Sequence, residues 1–249
     1  MTYTYEEFKE RLCRVFEMNS LSKYLDEGKA RLFYDFADVL LETNKTFNLT
    51  AVKDEDGVIL KHFADSLIVA DYIPEGAKII DVGCGGGFPT FPLAIARPDL
   101  KITALDSTEK KINFVRSAAE RLSLTNITAV SGRAEELAQG EMRESFDLAT
   151  ARAVAALPIL TELCMPFVKV GGRFAAMKAL RADTEIADTV SSGLFATLGG
   201  DKEPAVHEMT LTDGISEPLS RAVVVVEKHS KTPPKYPRKY SQIVKQYKK

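Results

Sequence analysis

The residues best suited to chemistry lie between Ile79 and Pro89. Ile79-Ile80-Asp81-Val82 runs into Gly83-Cys84-Gly85-Gly86-Gly87, four glycines within five positions, and helix-forming sequence resumes at Thr90. An apolar run stopped by glycines reads as a buried parallel strand entering a nucleotide-binding loop. Residues without a β-carbon let backbone N–H groups approach a bulky ligand closely, and they accept the positive φ of a sharp turn. The form is Asp-x-Gly-x-Gly-x-Gly, and Phe88 stands where the dinucleotide fingerprint has its third glycine. A second acid, Asp106, closes the next apolar run, Lys101-Ile102-Thr103-Ala104-Leu105. A carboxylate there can accept two hydrogen bonds from a ribose diol. Asp81 is placed to hold the loop and the amino end of an amino-acid-like ligand.

Acid, glycines and second acid together resemble the S-adenosylmethionine site of Rossmann-like methyltransferases. The generic alternative is any other doubly wound α/β nucleotide binder.

Such a loop needs a parallel sheet to carry it, and the chain alternates accordingly from Lys78 onward. Strands are expected at 101–106, 127–130, 146–150 and 173–177, with helices near 90–97, 108–123 and 157–168 between them. Ile112, Val115, Ala119 and Leu122 give the second of these helices an apolar face. Gly171-Gly172 reads as the turn into the fifth strand. A helix near 181–197 and two strands, 203–211 and 221–228, joined by a hairpin-type connection, complete the pattern. The fold class is therefore α/β: a Rossmann-like class I methyltransferase sheet of about seven strands, mostly parallel, with the last strand antiparallel. Before it, Phe8, Leu12, Val15 and Phe16, then Ala30, Phe33, Ala37 and Leu40, recur at helical spacing. Helices are expected near 4–17, 28–43 and 56–71. The chain thus divides into an N-terminal helical extension (1–75), a methyltransferase domain (76–228) and a basic C-terminal tail (229–249).

With 45% hydrophobic and 27% charged residues among 249, the composition is that of an ordinary soluble protein. No apolar run is long enough to span a bilayer and the N-terminus lacks a signal pattern, so a cytoplasmic protein with no membrane partner is expected. Cys13, Cys84 and Cys164 are scattered, which favours neither a disulfide framework nor a metal site. The net charge of −2 hides an asymmetry: Lys228 to Lys249 holds eight Lys or Arg and no acid. Interleaved with Tyr236, Tyr240 and Tyr247, that tail can bind phosphates and stack on bases, or it is a solvated, mobile terminus. With no strong heptad pattern, a monomer is expected.

Taken together the motifs resemble the ribosomal RNA small subunit methyltransferase G family (RsmG, also called GidB). The matching pieces are Asn44-Lys-Thr-Phe-Asn-Leu-Thr50, Lys61-His-Phe-Ala-Asp-Ser-Leu67, Asp81 to Pro89, Leu105-Asp-Ser-Thr-Glu-Lys-Lys111, Arg133-Ala-Glu135, Phe146-Asp147 through Ala151-Arg-Ala-Val154, Lys178 and Tyr236-Pro-Arg238. The resemblance implies S-adenosyl-L-methionine as cofactor and guanine N7 of bacterial 16S rRNA, in the 30S subunit, as target. It also implies cofactor contacts at Gly83, Phe88, Asp106, Ser107, Thr108, Ala134, Glu135 and Arg152. Gly86 stands where other members often carry Ala or Pro, and Thr90 where many have Gly. The tail after Arg238 fits the family more loosely.

The loop after the fourth strand, Thr150-Ala-Arg-Ala-Val154, has neither the Asn/Asp-Pro-Pro motif of amine methylation nor the cysteine of pyrimidine C5 chemistry. Purine N7 needs neither, since its lone pair carries no proton, and no residue is assigned as acid or base. Arg152 either orients the guanine through N7 and O6, or binds the cofactor or structural carboxylates. His62, Asp65 and Ser66 either line the site or form a structural hydrogen-bond cluster, and Lys178 either meets an RNA phosphate or is salt-bridged. A noncatalytic RNA-binding or ribosome assembly factor and a nicotinamide dehydrogenase are the rival functions.

Overall fold

Crossover helices return the chain to the same end of each successive strand, so apolar runs separated by amphipathic helices assemble in parallel. The computed structural model describes residues 1–152, 155–179 and 183–247. Among these, the strands are β1 (Lys78–Val82), β2 (Lys101–Asp106), β3 (Ile127–Ser131), β4 (Phe146–Arg152), β5 (Val168–Ala179), β6 (Ala205–Leu211) and β7 (Leu219–Glu227). They form one sheet in the order β3-β2-β1-β4-β5-β7-β6. β1 to β5 pair in parallel, and β7 runs antiparallel to both β5 and β6. This is the class I methyltransferase sheet expected from the sequence. Strand order reverses between β1 and β4, which leaves a crevice at their carboxyl ends.

Helix α1 (Tyr5–Met18) begins at a capping box, Thr4 with Glu7, and α2 (Glu27–Asn44) at the Asp26 side chain. The third expected helix is composite: α3 (Glu55–Val58), a π-helical stretch Ile59–Ala64, and α4 (Asp65–Leu67). The wider turn buries Ile59, Leu60, His62, Phe63 and Ala64 together, residues that regular helical spacing would divide between faces. α5 (Thr90–Ala96) follows the glycine loop and α6 (Glu109–Arg121) follows β2. Further along come α7 (Ala134–Leu137), α8 (Leu157–Cys164), α9 (Asp183–Ser191), α10 (Leu194–Thr197) and α11 (Tyr240–Tyr247).

Alternation along β1 sends Ile79 and Ile80 to opposite faces. Ile79 joins a core shared with the N-terminal helices, and Ile80 joins one with Phe146, Leu157, Phe174 and Val224. In the first core Phe36 of α2 stacks on Phe91 of α5 at 4.1 Å between ring centroids. The extension is therefore continuous with the floor beneath the glycine loop.

Three local expectations fail for identifiable reasons. Gly171-Gly172 does not turn the chain into a strand but lies within β5, where pairing with β4 shifts register. Gly171 has φ +84°, and a β-carbon on Gly172 would meet the Asp147 carbonyl at 2.6 Å, so the pair permits a bulge. The helix expected near 181–197 is split by Gly193 at φ 65° into α9 and α10, and residues 181 and 182 lie outside the described residues. The tail, read as mobile, is docked. Arg143 donates to the carbonyls of Thr232, Pro233 and Tyr236, and Ile243 of α11 is wholly buried.

Lys228 begins that docking. Its fully buried ammonium donates to Glu144 Oε1 at 3.0 Å and to the Met165 and Val168 carbonyls at 2.9 and 2.7 Å. Burial pulls its pKa down, and the Glu144 carboxylate opposes that. Replacing Lys228 by Met should cost about 3–5 kcal/mol, because the buried carbonyls and Glu144 lose their donor. A urea midpoint equal to that of the unsubstituted protein would contradict the assigned bonding.

Candidate cofactor and active site

The glycine loop is held from two sides. Gly83 and Cys84 donate their N–H groups to the Leu105 carbonyl at 2.7 and 3.0 Å, which docks the loop on the end of β2. Gly87, at φ +88°, sits over Phe91, where a β-carbon would come within 2.3 Å of the ring. A side chain there would displace the Phe36–Phe91 stack. Asp106 completes the tie: Oδ2 accepts from Gly85 N at 3.1 Å and Oδ1 from Thr108 N at 2.8 Å. Lys111 Nζ lies 3.6 Å from Oδ2, and the carboxylate keeps acceptor capacity for a diol.

Around this loop lies a cavity of about 440 Å³. Gly83, Phe88, Asp106, Ser107, Thr108, Ala134, Glu135 and Arg152, all eight cofactor residues expected from the sequence, line it. They arrive from four strand ends, those of β1, β2, β3 and β4. Leu49, Thr50, His62, Lys111, Arg133, Leu163 and Tyr240 line it as well. Leu49 and Thr50 lay within a quoted motif but carried no role, whereas Tyr240 had only its place in an aromatic, basic tail as a signal. The bare loop, the carboxylate with spare acceptor positions and the cavity's size together fit S-adenosylmethionine.

Asp81 departs from its expected position. It is fully buried and does not line the cavity; Oδ2 accepts from Thr90 Oγ1 at 2.6 Å and Thr90 N at 3.2 Å. Oδ1 has no partner among the described residues, and burial pushes the pKa up to about 7 against the pull of the Thr90 bonds. Asp81 thus holds the start of α5, and the threonine that stands in place of a glycine supplies its hydroxyl partner.

The opposite wall is a charged cluster around Arg152. Its Nη1 donates to the Lys61 carbonyl at 2.8 Å and to Asp65 Oδ2 at 2.9 Å, and its Nη2 lies 3.1 Å from His62 Nδ1. Asp65 Oδ1 accepts in turn from Arg221 Nε at 2.6 Å. Both hydrogens of Nη1 are therefore committed to protein, which removes the end-on fork of Nη1 and Nη2 and leaves the Nε–Nη2 edge as the one pair that could meet a guanine's N7 and O6. Nδ1 of His62 lies 3.1 Å from both the Lys61 carbonyl oxygen and Arg152 Nη2, and Nε2 lies 2.6 Å from Thr50 Oγ1. The imidazole stacks on Phe88 at 4.1 Å, and Arg152 Cζ lies 5.2 Å from the same ring. Ala153 and Val154, quoted with Arg152, lie outside the described residues. Lys178 is salt-bridged to Glu185 at 2.7 Å, the structural alternative expected for it.

Burial, reinforced by the Arg152 charge, lowers the His62 pKa from 6.5 to about 3. In the unfolded chain the ring takes up a proton near pH 6.5, while the folded ring resists until about pH 3. The unfolded state therefore binds more protons in that window, and stability falls as the pH drops through it. His62→Gln should flatten this acid-side decline in melting temperature; an unchanged slope would contradict the neutral, buried ring.

Comparison with known proteins gives a consistent picture. The family GidB, rRNA small subunit methyltransferase G, matches residues 29–207. Ribosomal RNA small subunit methyltransferase G of Leuconostoc citreum is 44% identical over 226 residues, covering 89% of this chain and 92% of that protein. The protein of the same name from Leuconostoc mesenteroides is 42% identical over 243 residues, with 94% and 95% covered. Among solved structures, M. jannaschii TYW2 in complex with AdoMet superimposes with a TM-score of 0.50 at 13% identity, covering 66% of this chain and 76% of that one. That likeness concerns the fold. Matched by the family over most of its length, and by relatives almost end to end, the chain belongs to the rRNA small subunit methyltransferase G (GidB) family.

Proposed function

We propose that this protein methylates N7 of a guanine in the 16S rRNA of the small ribosomal subunit, with S-adenosyl-L-methionine as donor, acting as a cytoplasmic monomer. The observation that carries the reading is the single cavity in which the glycine loop, Asp106 and the Ala134–Glu135 segment converge with Arg152. No helix among the described residues is long and apolar enough to cross a membrane.

Bound S-adenosylmethionine supplies a methyl group made electrophilic by its sulfonium. Asp106 offers its spare acceptor positions to the ribose diol, while Ser107, Thr108, Ala134 and Glu135 border the purine side. Gly83 and its neighbours bring bare backbone to the donor's amino-acid end. Phe88, Arg152 and neutral His62 form a rigid wall opposite. N7 already offers an in-plane lone pair, so no residue removes a proton and none is assigned as acid or base. Catalysis is then chiefly placement of that lone pair in line with the methyl, an effect of about 7–11 kcal/mol in well-oriented systems. In this reading residues 76–228 hold the donor, the extension 1–75 supplies Thr50, His62 and Asp65 to the far wall, and the tail 229–249 closes one side.

Nucleoside mass spectrometry of 16S rRNA from cells lacking the protein should show the loss of a 7-methylguanosine; an unchanged content overturns the substrate. Asp106→Asn should raise the KM for S-adenosylmethionine about 10- to 100-fold, since hydrogen bonds to a charged acceptor contribute about 1.5–3 kcal/mol. The KM for RNA should stay the same. Arg152→Lys should lower turnover, and full activity with unaltered affinities would remove Arg152 from the wall.

A further inference from the structure

Tyr240, the first residue of α11, lines the same cavity as Asp106 and Glu135. Its ring lies against the Arg133 guanidinium, with Cζ 4.7 Å from the ring centroid, and Arg133 is itself paired with Glu135 at 3.0 Å. The residue is 37% exposed, an unusual position for a large ring at the edge of a polar cavity.

A latch fixes it there. Two residues earlier, Arg238 donates through its backbone N–H and Nε to Glu162 Oε1 at 2.9 and 2.8 Å. Glu162 is fully buried, so this charge pair sets the register of the tail on α8 rather than decorating its surface. Gln139 holds the Pro237 carbonyl at 2.9 Å, and Ile243 packs between Ile159 and Leu163. The tail is thus pinned on both sides of Tyr240.

Two purines concern this cavity, the adenine of the donor and the target guanine. Tyr240 rests on Arg133, which follows β3 and adjoins Ala134 and Glu135, whereas Arg152 and His62 stand on the other side of the glycine loop, with the extension. A ribose held at Asp106 on the end of β2 would leave its base within reach of the segment after the neighbouring β3, where Ala134 and Glu135 line the same cavity. We infer that Tyr240 is a stacking lid for the adenine of the methyl donor, which makes the latched C-terminal tail part of the cofactor site. The inference rests on the reading of the cavity as the donor's site.

Calorimetric titration of the full-length protein with S-adenosylmethionine tests it. Tyr240→Phe should keep the dissociation constant of the unsubstituted protein, while Tyr240→Ala and the bulk-conserving Tyr240→Leu should raise it about 5- to 50-fold, as loss of a base–aromatic stack does. Coupling is reciprocal, so the donor should slow chymotryptic cleavage of the tail in the unsubstituted protein and lose that effect in Tyr240→Ala. Unchanged affinity in both Ala and Leu variants overturns the lid. A rise confined to the KM for rRNA also overturns it, by assigning the ring to the target base. Failure of the unsubstituted protein to bind the donor overturns the reading of the cavity itself.

Discussion

Asp106 ties the glycine loop to the turn after β2, reinforcing the bonds from Gly83 and Cys84 to the Leu105 carbonyl. One oxygen holds the N–H of Gly85 and the other that of Thr108, so the turn after β1 and the turn after β2 share one carboxylate. Charge-assisted bonds of this kind are stronger than neutral ones, and these lie at the carboxyl ends of β1 and β2, beside the crevice. The same group is left with acceptor capacity facing the cavity. Binding a diol therefore adds to bonds that already exist rather than breaking them, and the loop is organised before any ligand arrives. Gly83 and Gly87 follow from this constraint: the turn must pass between the end of β2 and the Phe91 ring with positive φ at both positions.

The N-terminal helices belong to that arrangement rather than to its periphery. Phe36 supports the loop from below through Phe91 and lies 5.7 Å from Phe88. The π-helical stretch brings His62 to the cavity, and Asp65 just beyond it spends one oxygen on Arg152 and one on Arg221. Arg221 lies on β7, so a single buried carboxylate joins the extension, the end of β4 and the antiparallel strand. Burial and these acceptors hold the Arg152 side chain in one orientation, which suits a wall whose contribution is positioning.

The strands and most helices were legible because local periodicity and burial agree there: β2 begins and ends where the apolar run does, and the residues expected to meet the cofactor sit on turns that follow such runs. What escaped is set by distant contacts. A glycine pair ordinarily marks a turn, yet Gly171-Gly172 is required inside β5 by the approach of the Asp147 carbonyl, which no local pattern reveals. The π-helical stretch breaks the spacing by which a helical face is recognised. Asp81 looked like a ligand-facing acid because its position in the motif is visible and its burial is not. The tail's docking depends on Glu162, a lone acid in an apolar helix, meeting Arg238 far along the chain. Only the folded chain puts Tyr240 beside Arg133.

The central claim is that bare backbone between Gly83 and Phe88, steadied by Asp106, grips the methyl donor. Amide hydrogen exchange resolved by residue, with and without S-adenosylmethionine, tests it most directly. The account predicts slowed exchange at the amides of the glycine loop and of Ser107 and Thr108 when the donor is present. Exchange at these amides that is indifferent to saturating donor would contradict it.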